Sequence, residues 1–122
     1  MEKAYQLSDK ILKEIEEYSK NYTTNDGKIV TTEISLKSLN TIIEDGFVLH
    51  KYLVEKKLYE KYSSLVTLLN EVGEIIKKLQ ITKTNAEKLN LSSAIQVWQQ
   101  AKISIALLAC EVMDLYEEEE NK

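Results

Sequence analysis

Carboxylates three positions apart on a helix project from one face and can share a divalent cation. Glu71 and Glu74, within Asn70-Glu71-Val72-Gly73-Glu74 of this 122-residue chain, form such a pair. Gly73 sits between the two carboxylates. A glycine inside a helix costs about 1 kcal/mol relative to alanine, so its presence there points to a close neighbour or to a ligand approaching the backbone. The plainer reading weighs against the metal one. The chain has twenty Asp and Glu, enough for such pairs to arise by chance on solvated helix faces.

Other chemistries are scarce. A nucleophilic Ser or Cys needs a base beside it, and the single histidine, His50, lies at the border of an apolar stripe between Phe47 and Val54, where a boundary histidine is the ordinary reading. Cys110 is the one cysteine, so no internal disulfide can form; it falls in an apolar run and is expected to be a buried, inert thiol. One Cys and one His cannot build a zinc site, nor the paired Glu-x-x-His helices of a di-iron bundle. The three glycines stand apart from one another and form no phosphate loop. Lys51, Lys56, Lys57 and Lys61 alternate with Tyr52, Tyr59 and Tyr62, a mixture that can suit nucleic acid, but Glu55 and Glu60 dilute it and a solvated helix face is expected. The net charge of −4 argues in the same direction. All sixteen basic residues are Lys, as AT-rich codon usage would give, so no bidentate guanidinium is available for phosphate or guanine.

The segment Leu68-Leu69-Asn70-Glu71-Val72-Gly73-Glu74-Ile75-Ile76 resembles the first acidic helix of MazG-type nucleotide pyrophosphohydrolases, with Asn70 where that family carries its first Glu. The family is all-α, binds Mg²⁺ through Glu-Glu-x-x-Glu on one helix and Glu-x-x-Asp on another, and hydrolyses nucleoside triphosphates to monophosphates and pyrophosphate. The resemblance implies Glu71 and Glu74 as Mg²⁺ ligands, with Glu111 and Asp114 of Glu111-Val112-Met113-Asp114 as the second pair; Glu87-Lys88-Leu89-Asn90 lies nearer in the chain but has Asn where the family has Asp.

The elements that must position these groups are helices. Zero Pro and only three Gly favour long ones. A first helix is expected over residues 2–22, with Ala4, Leu7, Ile11, Ile15, Tyr18 and Tyr22 on its inner stripe, ending at Thr23-Thr24-Asn25-Asp26-Gly27, where Gly27 supplies a left-handed position. Residues 28–32 are expected to be loop. A second helix begins near Thr32 or Glu33 and buries Leu36, Leu39, Ile42 and Ile43, with a bend or break at Asp45-Gly46 before Phe47, Leu49, Leu53 and Val54 resume the pattern.

From Leu58 the apolar residues recur in strict four-three steps through Tyr62, Leu65, Leu69, Val72, Ile76 and Leu79, the spacing of a helix packed along its length. One rod over residues 47–80 would be ~50 Å long, more than suits a compact domain with a gyration radius of ~14 Å. Either the chain breaks near Lys56-Lys57 or the bundle is elongated or dimeric.

A further break is expected at residues 81–84, where Thr84-Asn85-Ala86-Glu87 has the spacing of a capping box. The last helix then runs to about Glu118 and serves as the central rod. Its run from Ile103 to Met113 is interrupted only by Ser104 and Glu111, and is expected to be enclosed on nearly all sides. The acidic tail Glu117-Glu118-Glu119-Glu120 should fray, because the helix dipole disfavours anions there.

These readings add up to one all-α domain, an antiparallel bundle of four or five helices, placed in the cytoplasm by its lone thiol and the lack of a signal-peptide core. Three functions compete: a non-enzymatic interaction protein (an adaptor, an immunity or inhibitor protein, or a small accessory subunit) with a protein partner or a second copy; a Mg²⁺-dependent pyrophosphohydrolase; and, with least support, a nucleic-acid-associated protein.

Overall fold

The computed structural model describes residues 1–28, 30, 32–85 and 91–121, with side chains at residues 1–28, 30, 32–79 and 96–121. The fold is all-α: α1 (Glu2–Tyr22), α2 (Glu33–Glu55), the single turn α3 (Leu58–Lys61), α4 (Leu65–Asn85) and α5 (Leu91–Glu120). The inner face of α1 buries Ala4, Ile11 and Tyr18 as the spacing predicts, and adds Ser8. Beyond it the chain turns tightly: Thr24 N–H donates to Lys28 O at 2.8 Å, Val30 N–H donates to Tyr22 O at 2.7 Å, and Gly27 adopts φ +83°.

The second helix opens on a reciprocal cap. Thr32 N–H donates to Ser35 Oγ at 2.8 Å, and Ser35 N–H donates to Thr32 Oγ1 at 3.1 Å. This is the capping-box arrangement with Ser in place of the usual Glu or Gln. The helix then passes through Asp45-Gly46 without a break. Gly46 is buried because α2 and α5 touch there. A Cβ at this position would lie 2.7–2.8 Å from Ile105 Cγ1 and Cγ2, so the glycine permits close approach rather than a bend.

The long rod breaks where its length required. α2 ends at Glu55, and Lys57 takes a left-handed conformation with φ 52° and ψ 36°. Lys57 N–H donates to Val54 O at 3.1 Å, and this left-handed residue closes the helix. Glycine is the preferred residue at such a position. Lys57→Gly is expected to raise stability by about 0.5–1 kcal/mol, read as a higher midpoint in urea with an unchanged slope.

α4 continues through Asn85, so residues 81–85 extend the helix instead of breaking it, and Thr84 is a helical residue rather than a cap. Glu87 and Asn90 lie outside the described residues. Neighbouring helices run antiparallel. Tyr5 stacks on Tyr116 at 4.4 Å, and Gln99 Nε2 donates to Tyr18 Oη at 2.9 Å, which sets α1 against α5. Lys10 meets Asp45 across α1 and α2, His50 meets Leu69 O across α2 and α4, and Ser64, in the turn just before α4, meets Glu111 on α5. In this up-down arrangement α2 and α5 are parallel and lie on a diagonal, which the Gly46–Ile105 contact makes short. The shared core includes Leu39, Ile42, Leu49, Leu53, Leu65, Ile105, Leu108 and Val112, all at 1% exposure or less.

Two expectations for α5 are overturned. The helix packs on α1, α2 and α4, which leaves its remaining face uncovered: Ile103 is 56% exposed and Leu107 52% exposed. Cys110 lies on that same face and is exposed rather than buried. Through the acidic tail, α5 is helical as far as Glu120. Glu119 accepts from Lys61 Nζ at 2.8 Å and from Tyr62 Oη, so contacts from the α3 turn offset the unfavourable dipole.

Candidate functional site

The candidate site is a groove of about 550 Å³ between α4 and α5. Glu71, Glu74 and Lys78 come from one wall, and Gln100, Ile103 and Ser104 from the other. The wall residues of α4 face outward because Leu65, Leu69, Val72 and Leu79 occupy its buried stripe. The other wall is the uncovered face of α5. Its floor mixes apolar and polar atoms, and its charged groups stand at the rim in water.

Glu71 and Glu74 therefore share one groove, as their spacing requires. Glu74 is engaged by Lys77 Nζ at 3.4 Å. The second pair lies elsewhere: Glu111 is about two turns beyond Ser104 on α5, ~10 Å along its axis, and its Oε1 accepts from Ser64 Oγ at 2.9 Å. Asp114 is exposed one turn further on. Among the described residues no group of three or more His, Cys, Asp or Glu is placed to hold a metal ion together. Gly73 faces the His50 side chain, but a Cβ there would lie 3.5 Å from His50 Nε2, an ordinary contact that leaves room for a methyl group. His50 is half-buried, with Nε2 at 3.1 Å from Leu69 O.

The Lys–Tyr patch resolves into ion pairs and packing. Lys51 pairs with Glu55 and Lys61 with Glu119. Tyr52, Tyr59 and Tyr62 are half-buried and pack against the core. Among the described residues no helix is long and apolar enough to cross a membrane.

One electrostatic feature escaped the sequence. Glu14 on α1 meets Asp45 on α2, and Glu14 Oε1 and Asp45 Oδ2 are both buried without a hydrogen-bond donor. Lys10 Nζ, 3.5 Å from Asp45 Oδ2, gives only an ion pair. Burial first, and then the adjoining Asp45 carboxylate, push the Glu14 carboxyl up from 4.5 to about 7. Between those values the folded chain holds a proton that the unfolded chain has released, so stability falls as pH rises through that window. Glu119 is held low by Lys61 and Tyr62, and its contribution changes only at more acidic pH. The melting temperature should therefore be higher near pH 5.5 than near pH 8, and Glu14→Gln should flatten the difference. A wild-type profile that rises steadily across that interval would contradict the pairing.

Sequence reasoning also missed the outer stripe of α5. Gln96, Gln100, Ile103, Leu107, Cys110, Asp114 and Glu117 are all exposed and follow alternating four- and three-residue steps. The signal was present in the spacing, but the denser apolar stripe on the opposite side of the same helix concealed it. Compared with family models, curated proteins and solved structures, the chain matches none of them.

Proposed function

We propose that this chain is a non-enzymatic helical interaction protein, an adaptor, inhibitor or small accessory subunit, that binds through the uncovered face of α5 and the adjoining edge of α4. One observation carries the reading. Ile103 and Leu107, at 56% and 52% exposure, form the middle of a four-three stripe on a helix whose other sides are committed to the core. A helix stripe of this spacing is the surface that a second amphipathic helix recognises. A cytoplasmic setting suits the exposed, unpaired Cys110.

The test uses wild-type and Leu107→Lys baits in quantitative capture from the native host, scored by which proteins are lost with the variant. A defined protein retained by the first bait and lost from the second is expected. Identical capture by both would remove the reading.

The pyrophosphohydrolase reading keeps one support, the placement of Glu71 and Glu74 on the wall of a single groove. Under that reading Mg²⁺ with a nucleoside triphosphate should raise the melting temperature, because a ligand selective for the native state stabilises it, and Glu71→Gln should abolish the shift. No shift and no pyrophosphate release across a nucleotide panel would exclude it.

A further inference from the structure

We infer that the seam between α1 and α2 is a proton-operated clasp. Glu14 and Asp45 hold the two helices together by sharing one proton, and its loss to solvent opens the seam while the rest of the bundle stays closed.

Glu14 Oε1 and Asp45 Oδ2 come from different helices, and each is buried without a hydrogen-bond donor. A buried acceptor left alone carries the full cost of its lost water. Two adjoining carboxylates cannot both ionise without a large further penalty. A single proton on Glu14, donated to Asp45, relieves both with one hydrogen bond. Among the described residues no other donor reaches either atom. Facing the Glu14 carboxyl are Asp45 from α2, and Lys10 and Glu17 from its own helix. Lys10 stands 3.5 Å from Asp45 Oδ2 with 65% of its side chain exposed, so it sets one water-screened charge against two carboxylates. Glu17 adds negative charge. On the α5 side, Lys102 Nζ lies 4.8 Å from the centre of the Tyr18 ring. Burial and the Asp45 carboxylate together push the Glu14 carboxyl up, as such a pair requires.

Once the proton leaves, two buried charges face each other, and the nearest relief is water. A cavity of about 230 Å³ between α1 and α2 adjoins the pair, lined by Glu14, Tyr18, Tyr22, Ser38, Thr41 and Ile42. Hydroxyl groups in its walls suit water, so a small outward movement of α1 hydrates the pair. Other fastenings of both helices do not involve these carboxyls. Tyr5 stacks on Tyr116 and Gln99 donates to Tyr18, which holds α1 to α5. Contacts at Gly46 and His50 hold α2 to α5 and α4. The seam can therefore part without dismantling the bundle.

The direction follows by linkage. In the open form Glu14 returns to its ordinary value near 4.5, whereas in the closed form it keeps its proton up to about 7. The open fraction therefore grows as pH rises between those values and levels off above them.

The experiment is nuclear magnetic resonance on the intact chain, following the Glu14 side-chain carboxyl carbon and the Overhauser contacts between helices. Glu14 should titrate well above the ordinary carboxylate range. Between pH 5.5 and pH 8, contacts between the α1 and α2 side chains lining the cavity should fall to half or less, while those of Tyr5 with Tyr116 persist. Glu14→Gln supplies a permanent amide donor and should leave the α1–α2 contacts equal at the two pH values. Asp45→Asn should do the same by removing the second charge. Glu17→Gln should keep the wild-type response, since Glu17 lies outside the pair.

Titration of Glu14 in the ordinary range overturns the proposal. So does a displaced titration with unchanged α1–α2 contacts, or a simultaneous loss of the Tyr5–Tyr116 contacts, which marks unfolding of the whole chain. A response that survives in both Glu14→Gln and Asp45→Asn overturns it too. If either variant fails to fold, the wild-type arm decides by itself.

Discussion

Leu108→Ala should cost about 2–5 kcal/mol of stability, whereas the same truncation one residue earlier, at Leu107, should have a several-fold smaller effect in dilute solution. Leu108 is fully buried and Leu107 is 52% exposed. Truncating the first removes apolar surface already withdrawn from water and leaves a space that its neighbours fill only in part. Truncating the second removes side-chain atoms that are half in water in either state. For a chain of this length the Leu108 variant should melt on the order of 10 °C lower. The contrast checks the rotation of α5 about its axis, because a different rotation would exchange the two results. Leu69→Ala on α4, where Leu69 is 5% exposed, should match Leu108→Ala in size.

Gly46→Ala is the second large effect, and two influences oppose each other there. Alanine is the better helix former by about 1 kcal/mol, so at an exposed helical site the substitution would stabilise. Here the added methyl would meet Ile105: its Cδ1 is the nearest atom, and its Cγ1 and Cγ2 lie 2.7–2.8 Å away. The tip could rotate, but the two Cγ atoms belong to the branched stem of a side chain that is 1% exposed and cannot swing aside as freely. Overpacking of this kind costs about 1–3 kcal/mol. Destabilisation should therefore win. Ile105→Ala should restore part of the loss when combined with Gly46→Ala, because it clears the space that the methyl needs. A double-mutant cycle in urea measures the coupling. Additive effects at the two positions would mean that α2 and α5 do not touch at this point.

How much of this was legible in the sequence depended on the kind of signal. Helix α1 was legible from one end to the other, because a regular apolar stripe precedes Gly27, which takes the left-handed conformation its turn requires. The break at Lys56-Lys57 was legible only through an argument about length, since Lys57 carries no local mark of its left-handed backbone. Gly46 carried the opposite kind of signal. Next to Asp45 it looks like a helix breaker, and only the position of Ile105 on a distant helix explains why α2 tolerates it.

The same limit applies to the site. Spacing correctly put Glu71 and Glu74 on one face, but it could not say that Glu111 turns to Ser64 on another part of the bundle. The outward turn of Ile103, Leu107 and Cys110 was hidden for a related reason. A run of apolar residues does not state how many neighbours a helix has, and α5 covers only three of its sides.

The order of the helices along the chain bears on biosynthesis. A chain is made from its N-terminus and folds as its parts emerge, and α5 follows every helix on which it packs. While the ribosome is still making α4, the sides of α1 and α2 that pack on the last helix have nothing to cover them. The nascent polypeptide thus emerges with its future interior facing water, and a chaperone or neighbouring nascent chain could bind there. Ribosomes stalled before codon 101 should bear intermediates prone to clump, and release beyond codon 112 should end that hazard.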